Sequence, residues 1–144
     1  MFISDVLRIK GREVAAVLPY DSIETAVRRL AELRIGAVVV QDKWQKLAGI
    51  FSERDLVRLL AREGRQALDH RVEEVMTRSL ITCKSTDRID AVLTVITRNK
   101  VRHIPVLDDG ALAGIVSIGD LVKHRMDEKE VEAGVLLEIS RMRV

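Results

Sequence analysis

The chain has few aromatic residues: one Trp, one Tyr and two Phe make up 3% of 144 residues. Its core must therefore be built from Val, Leu, Ile and Ala, and no row of rings is available for stacking single-stranded nucleic acid. Cysteine occurs once, at Cys83, which excludes an internal disulfide and a Cys-rich metal site. On its short apolar stretch Cys83 reads as a small buried residue rather than a nucleophile. His70, His103 and His124 are scattered without metal-ligand spacing. No apolar run approaches the length of about 18 residues needed to span a bilayer. The N-terminal "MFISDVLRIKG" carries Asp5, Arg8 and Lys10, unlike a secretion signal. No single sign of charge dominates either: 24 basic against 22 acidic residues give a net charge of +2. That balance argues against nucleic acid and membrane as partners. A cytoplasmic protein is expected.

Aliphatic residues are plentiful, and the hydrophobic fraction is 47%, enough for a sizeable core. The chain also repeats itself. "LAGIFSERDLV" (47–57) and "LAGIVSIGDLV" (112–122) share eight of eleven residues. Upstream, Ile23, Ala26, Val27 and Leu30 correspond to Ile89, Val92, Leu93 and Ile96 at an offset of 66. Both sets are spaced i, i+3, i+4, i+7, the signature of one apolar helix face. The offset drops to 65 across the turns "QDKWQK" and "LDDGA". Repeats in register through helix, turn and strand mark a duplicated unit.

Each copy predicts β-α-β-β-α, an α/β (α+β) fold. The strands are "VAAVL" (14–18), "AVVV" (37–40) and "LAGIF" in the first copy. In the second they are "SLITC" (79–83), "IPV" (104–106) and "LAGIV". Asp21 and Asp87 are the expected N-caps of the first helices. The second helices are expected to start at Asp55 and Asp120. The boundaries run 1–64 for the first repeat, 65–75 for a linker within a polar stretch, and 76–126 for the second repeat. An amphipathic helix follows over 127–144, with Val131, Val135, Leu136 and Ile139 at helical spacing. Neither copy can bury both faces of its own sheet, so the two pack together. Trp44 sits in a polar turn, where it packs locally or meets a partner.

Both repeats contain Gly-Ile-x-Ser-x-x-Asp, at Gly49–Asp55 and Gly114–Asp120. Ser followed by Asp three residues later before an apolar helix is a capping pattern. A helix N-terminus also attracts anions, and a carboxylate accepts from both hydroxyls of a ribose. Gly49 and Gly114 leave room for a ligand near the backbone. No Ser or Cys is set beside a base and an orienting acid.

These motifs, with "VEEVMT" (72–77) and "RHIPV" (102–106), resemble a tandem cystathionine-beta-synthase (CBS) domain pair, or Bateman module, over residues 3–125. The resemblance implies a non-catalytic regulatory unit that binds adenosine-containing ligands between its repeats, pairs into a homodimer and signals to a regulated protein. The alternative is a constitutive dimerisation module with a degenerate pocket. Similar pairs occur as inserts in IMP dehydrogenase, but 144 residues leave no room for a catalytic barrel of about 250. AMP is the foremost implied ligand, with ATP, ADP, NAD(H) or S-adenosylmethionine as others. In the family the Asp of the motif holds the ribose and the Ser faces the phosphate, which maps onto Asp55 and Ser52, and onto Asp120 and Ser117. The Asp120 cleft would be closed by Val17, Leu18, Pro19, Gly36 and Ala37, with Arg102 and His103 at its phosphate end. The Asp55 cleft would be closed by Thr82, Cys83, Lys84 and Arg102 to Ile104, with Arg54 and Lys84 as substitute cations. A monophosphate is therefore expected to prefer the Asp120 cleft. The Asp55 cleft would stay empty or take a longer ligand such as a dinucleotide.

Overall fold

The structure, a computed structural model, describes residues 1–142. After α1 (Ile3–Lys10), the first half runs β1 (Ala16–Val17), α2 (Ile23–Leu33), β2 (Ala37–Gln41), β3 (Leu47–Ser52) and α3 (Glu53–Glu63). A 3₁₀ turn (Gly64–Asp69) and α4 (Val72–Val75) lead into the second half. That half contains α5 (Ile89–Asn99), β4 (His103–Asp108), β5 (Ala111–Ser117) and α6 (Ile118–Met142). Strand β1 lies parallel to β2, which lies antiparallel to β3. Strands β4 and β5 form the matching antiparallel pair.

The expected strand over 79–83 shrinks to one parallel bridge between Cys83 and Val106. Leu80 packs instead against the contact between the two sheets, and Leu80 and Ile81 both line a cavity. Strand β1 is likewise shorter than 14–18. Ser22, not Asp21, caps α2, its hydroxyl accepting from the Thr25 N–H at 3.1 Å. Asp21 accepts from the Leu18 N–H at 2.8 Å, and Asp87 from the Lys84 N–H at 2.9 Å. Both carboxylates close the turn before the helix, and Arg88 at the start of α5 makes no side-chain cap.

The cores explain the composition. Strand β2 is buried on both faces, which is why "AVVV" reads as a continuous apolar run. Val38 and Val40 face the first core with Phe51 and Leu59. Ala37 and Val39 face the second half with Ile50, packing beside Leu112 and Ile115. This period of two makes the shared layer between the sheets.

The flanking segments cross over. Helix α1 puts Ile3, Val6 and Leu7 into the second core, with Ile89, Val92 and Ile104. Helix α4 puts Val72 into the first core, joined by Ala67 and Met76. Residues 1–10 thus pack with the second half. The stretch read as a linker is folded, and it completes the first half. Its His70 bonds Glu74 through Nδ1 at 2.5 Å and Glu63 through Nε2. The hydrogen bond to Glu74, then that to Glu63, raises the His70 pKa.

The C-terminal segment is not a separate helix, because α6 continues unbroken from Ile118. It buries Leu121 and His124 near its start, while Val131, Val135, Leu136 and Ile139 are exposed. The remainder of the expected 127–144 helix, residues 143–144, lies outside the described residues. Among the described residues, no helix is long and apolar enough to cross a membrane.

Candidate functional site

Both Gly-Ile-x-Ser-x-x-Asp motifs carry a strand directly into a helix. Helices α3 and α6 begin at Glu53 and Ile118, two residues before the expected Asp starts, because the Ser is the capping residue and the Asp lies one turn in. Asp55 Oδ2 accepts from the Ser52 N–H at 2.9 Å and the Ser52 hydroxyl at 3.1 Å. The Asp55 N–H donates to Ser52 Oγ at 3.3 Å. In the second motif the Ser117 N–H donates to Asp120 Oδ2 at 2.9 Å, and the Asp120 N–H to Ser117 Oγ at 3.1 Å. Reciprocal capping of this kind is worth about 1 kcal/mol per helix. It occupies one carboxylate oxygen of Asp55 and leaves Oδ1 turned toward Thr77, whose hydroxyl is 3.5 Å away.

A cavity of about 650 Å³ opens beside Asp55. It collects Gly36, Ser52, Arg54, Asp55, Arg102 and His103 from the sequence-based set. A volume of this size suits a small organic ligand. Its rim is cationic: Arg54, Arg58, Lys100 and Arg102 line it, against Glu53 and Asp55. Arg54 is steadied by donating to the Lys100 carbonyl at 3.2 Å. Arg58, Thr77, Ser79, Asn99 and Lys100 were not anticipated. Thr77 and Ser79 sit in and just beyond "VEEVMT", and Asn99 is the last residue of α5, followed by its C-cap Lys100 in the left-handed region at φ 54°. A groove of about 390 Å³ continues past Asp55 between Arg58 and Arg62.

Other expected residues lie elsewhere. Val17, Ala37, Cys83 and Ile104 are buried in the cores. Burial, then the nearby Asp87, pushes the Cys83 thiol up to about 12, so it is an inert neutral group. Leu18 and Pro19 are held in the turn before α2, where the Pro19 carbonyl accepts from the Glu73 N–H at 2.9 Å. Thr82 and Lys84 are exposed around the turn before α5 and do not border the cavity.

His103 stands between the two motifs. A Cβ on Gly36 would meet its ring at 3.2 Å, so the glycine makes room for the imidazole. Burial and then Lys10 lower the His103 pKa, although Asp120 and Glu53 oppose this. These surroundings favour the neutral imidazole, so a donor role needs no positive charge on His103. Arg102, which the sequence reading gave to both clefts, is exposed on the Asp55 cavity. Asp120 itself is engaged by Lys10, which reaches Oδ2 at 2.6 Å and the Ile115 carbonyl at 2.9 Å. Burial alone would raise the Asp120 pKa, but the Lys10 hydrogen bond and the Ser117 N–H lower it. Asp120 is an ion-paired carboxylate.

The sequence profile of the CBS domain matches residues 3–62 and 72–127. The chain belongs to the CBS domain family. Both CBS repeats are matched, and the first match takes in α1 although that helix packs with the second. A CBS-domain containing protein from Agrobacterium tumefaciens shares the fold at 43% identity, with a TM-score of 0.84 over 86% of this chain and 92% of that one. The CBS domain-containing protein CBSX3, mitochondrial, of Arabidopsis thaliana is 34% identical over 138 residues, covering 90% of this chain and 67% of its own. The CBS domain pair of protein MJ0100 was solved in complex with 5'-methylthioadenosine and S-adenosyl-L-methionine. It is 25% identical with a TM-score of 0.79, over 89% of this chain and 98% of that one.

Proposed function

We propose that this CBS pair is a non-catalytic cytoplasmic sensor that binds an adenine nucleotide in the Asp55 cleft and passes its ligand state to a partner protein. The observation that carries this reading is the cavity pairing one outward carboxylate oxygen of Asp55 with a cationic rim. The carboxylate suits the two hydroxyls of a ribose, and the rim suits phosphate. The two ligands of the MJ0100 pair share an adenosine part, which supports the same class here. The rim of Arg54, Arg58, Lys100 and Arg102 favours AMP, ADP, ATP or NAD(H) over S-adenosylmethionine, whose sulfonium is positive. Ligand closure between the repeats would favour one relative arrangement, and a partner reads whichever arrangement is populated. The exposed Val131, Val135, Leu136 and Ile139 of α6 support self-association, so the sensor is read as a homodimer.

Calorimetry with AMP, ADP, ATP, NADH and S-adenosylmethionine tests the reading. A phosphate-bearing member is expected to bind, and Asp55→Ala to weaken it roughly 10- to 100-fold, the loss of hydrogen bonds to a charged acceptor. Heat from none of the five, or an unchanged affinity in Asp55→Ala, rejects it. The first result would favour a constitutive dimerisation module instead.

A further inference from the structure

The two motifs are equivalent in sequence, yet their carboxylates have different partners. The cavity and its adjoining groove both border Asp55, and neither reaches Asp120. The difference traces to the crossed-over segments. Phe2 bridges Arg88, and Arg71 bridges Ser22. Ser22 and Arg88 are related by the repeat offset of 66, so Phe2 is the counterpart of Arg71, 69 positions apart. The glycines check this register. Gly114 lies against Leu7 and Gly49 against Met76, again a pair 69 apart. The same step sets Lys10 opposite Ser79. Ser79 lines the open Asp55 cavity. Lys10 instead crosses to the carboxylate of the second motif.

We propose that Lys10 is the residue that restricts this module to one nucleotide site, because its ammonium pairs with the second cleft's carboxylate at Oδ2, beside the Ser117 N–H, so that a ribose there must compete with a bound cation. The Nζ contacts at 2.6 Å to Asp120 and 2.9 Å to the Ile115 carbonyl use two of its three donors. The pair is two-thirds shielded from water, with side-chain exposures of 34% and 28%. This bond carries charge on both partners, whereas in the hydroxyl contacts that would replace it only the carboxylate is charged. A ribose entering here would also leave the ammonium to find another acceptor. Among the described residues Asp55 has no cation on either oxygen: Oδ2 takes the Ser52 bonds, and the Thr77 hydroxyl stands 3.5 Å from Oδ1.

This inference rests on the nucleotide reading of the Asp55 cleft, and calorimetry with AMP separates the two. Wild type is expected to bind one AMP per chain, and Asp55→Ala to bind that one roughly 10- to 100-fold more weakly. Lys10→Ser, which restores the small hydroxyl of the other repeat, is expected to bind two. Lys10→Ser combined with Asp120→Ala returns to one. Two AMP per wild-type chain, or a Lys10→Ser protein that melts like wild type and still binds one, overturns the role of Lys10 while leaving the Asp55 reading intact. No binding by wild type, together with one Asp120-dependent site in Lys10→Ser, upholds Lys10 and overturns the Asp55 reading. Binding by neither protein overturns both. The wild-type stoichiometry needs no variant to fold, so it tests the proposal by itself.

Discussion

Phe51→Ala is expected to lower the stability of the fold by about 3–5 kcal/mol, the usual range for a buried Phe cut back to Ala. In a protein of this size each kcal/mol moves the melting temperature by roughly 2–4 °C, so the loss is expected to reach about 10 °C. Phe51 is fully buried, in a chain with two Phe. It sits on β3 opposite Val38 and packs in the first core among Val38, Val40 and Leu59. Small aliphatic residues cannot spread to fill the space it leaves, and β2 is pinned by partners on both edges. The void therefore persists, and persistent voids are what make such substitutions costly. Trp44 is the matching control. It is 75% exposed, with Lys43 Nζ 4.5 Å from its ring centre, and Trp44→Ala is expected to change stability by less than about 0.5 kcal/mol. A urea titration of both variants checks the contrast. A Phe51→Ala loss below about 1.5 kcal/mol would mean that the first core relaxes freely.

The repeat, the alternating strands and the two capped helices were readable because each is written in short-range periodicity. "AVVV" has to be a strand buried on both faces, and Ile23, Ala26 and Leu30 have to share one helix face. The turn aspartates were harder. Asp21 and Ser22 are adjacent potential caps, and their roles were decided by which main-chain N–H each could reach. The crossing of α1 into the second core was hidden, because nothing local in "ISDVLRIK" says which core its apolar face will meet. Its kinship to "VEEVMTRS" shows only once the bridges at Phe2 and Arg71 are known. The contrast between the clefts was hidden for the same reason. Lys10 and Asp120 are 110 residues apart, so no local pattern pairs them. Lys100 escaped notice because it falls at a helix end in the left-handed region, where its side chain is aimed by the cap and not by the periodicity.

Gly49→Ala is expected to cost more than Gly114→Ala, although the two glycines open the same motif. In the sequence both read as leaving room for a ligand near the backbone. The structure gives them a different role, since each lies under a crossed-over segment. A Cβ on Gly49 would come within 2.8 Å of Met76 Sδ and 2.8 Å of the Thr77 carbonyl. A Cβ on Gly114 would meet the end of the Leu7 side chain at 2.7 Å. Leu7 can turn, at the expense of its packing in the second core. The Thr77 carbonyl cannot retreat so easily, because it accepts from the Ile50 N–H at 3.1 Å while the Thr77 N–H donates to the Ile50 carbonyl at 2.8 Å. Relief requires breaking that two-way bridge. Overpacking of a fixed backbone places Gly49→Ala near the upper end of the usual range, about 3 kcal/mol, and Gly114→Ala near the lower end, about 1 kcal/mol. The displacement also has a functional direction. Thr77 lines the cavity and faces Asp55, so the Gly49 variant is expected to bind nucleotide more weakly even in the fraction that folds. The Gly114 variant is expected to bind as wild type does, its disturbance falling on the cleft that Lys10 closes. Urea titrations paired with calorimetry on both variants read the two effects together. Equal stability losses, or a weaker nucleotide affinity in Gly114→Ala than in Gly49→Ala, would count against both the backbone bridge as the rigid element and the Asp55 cleft as the nucleotide site.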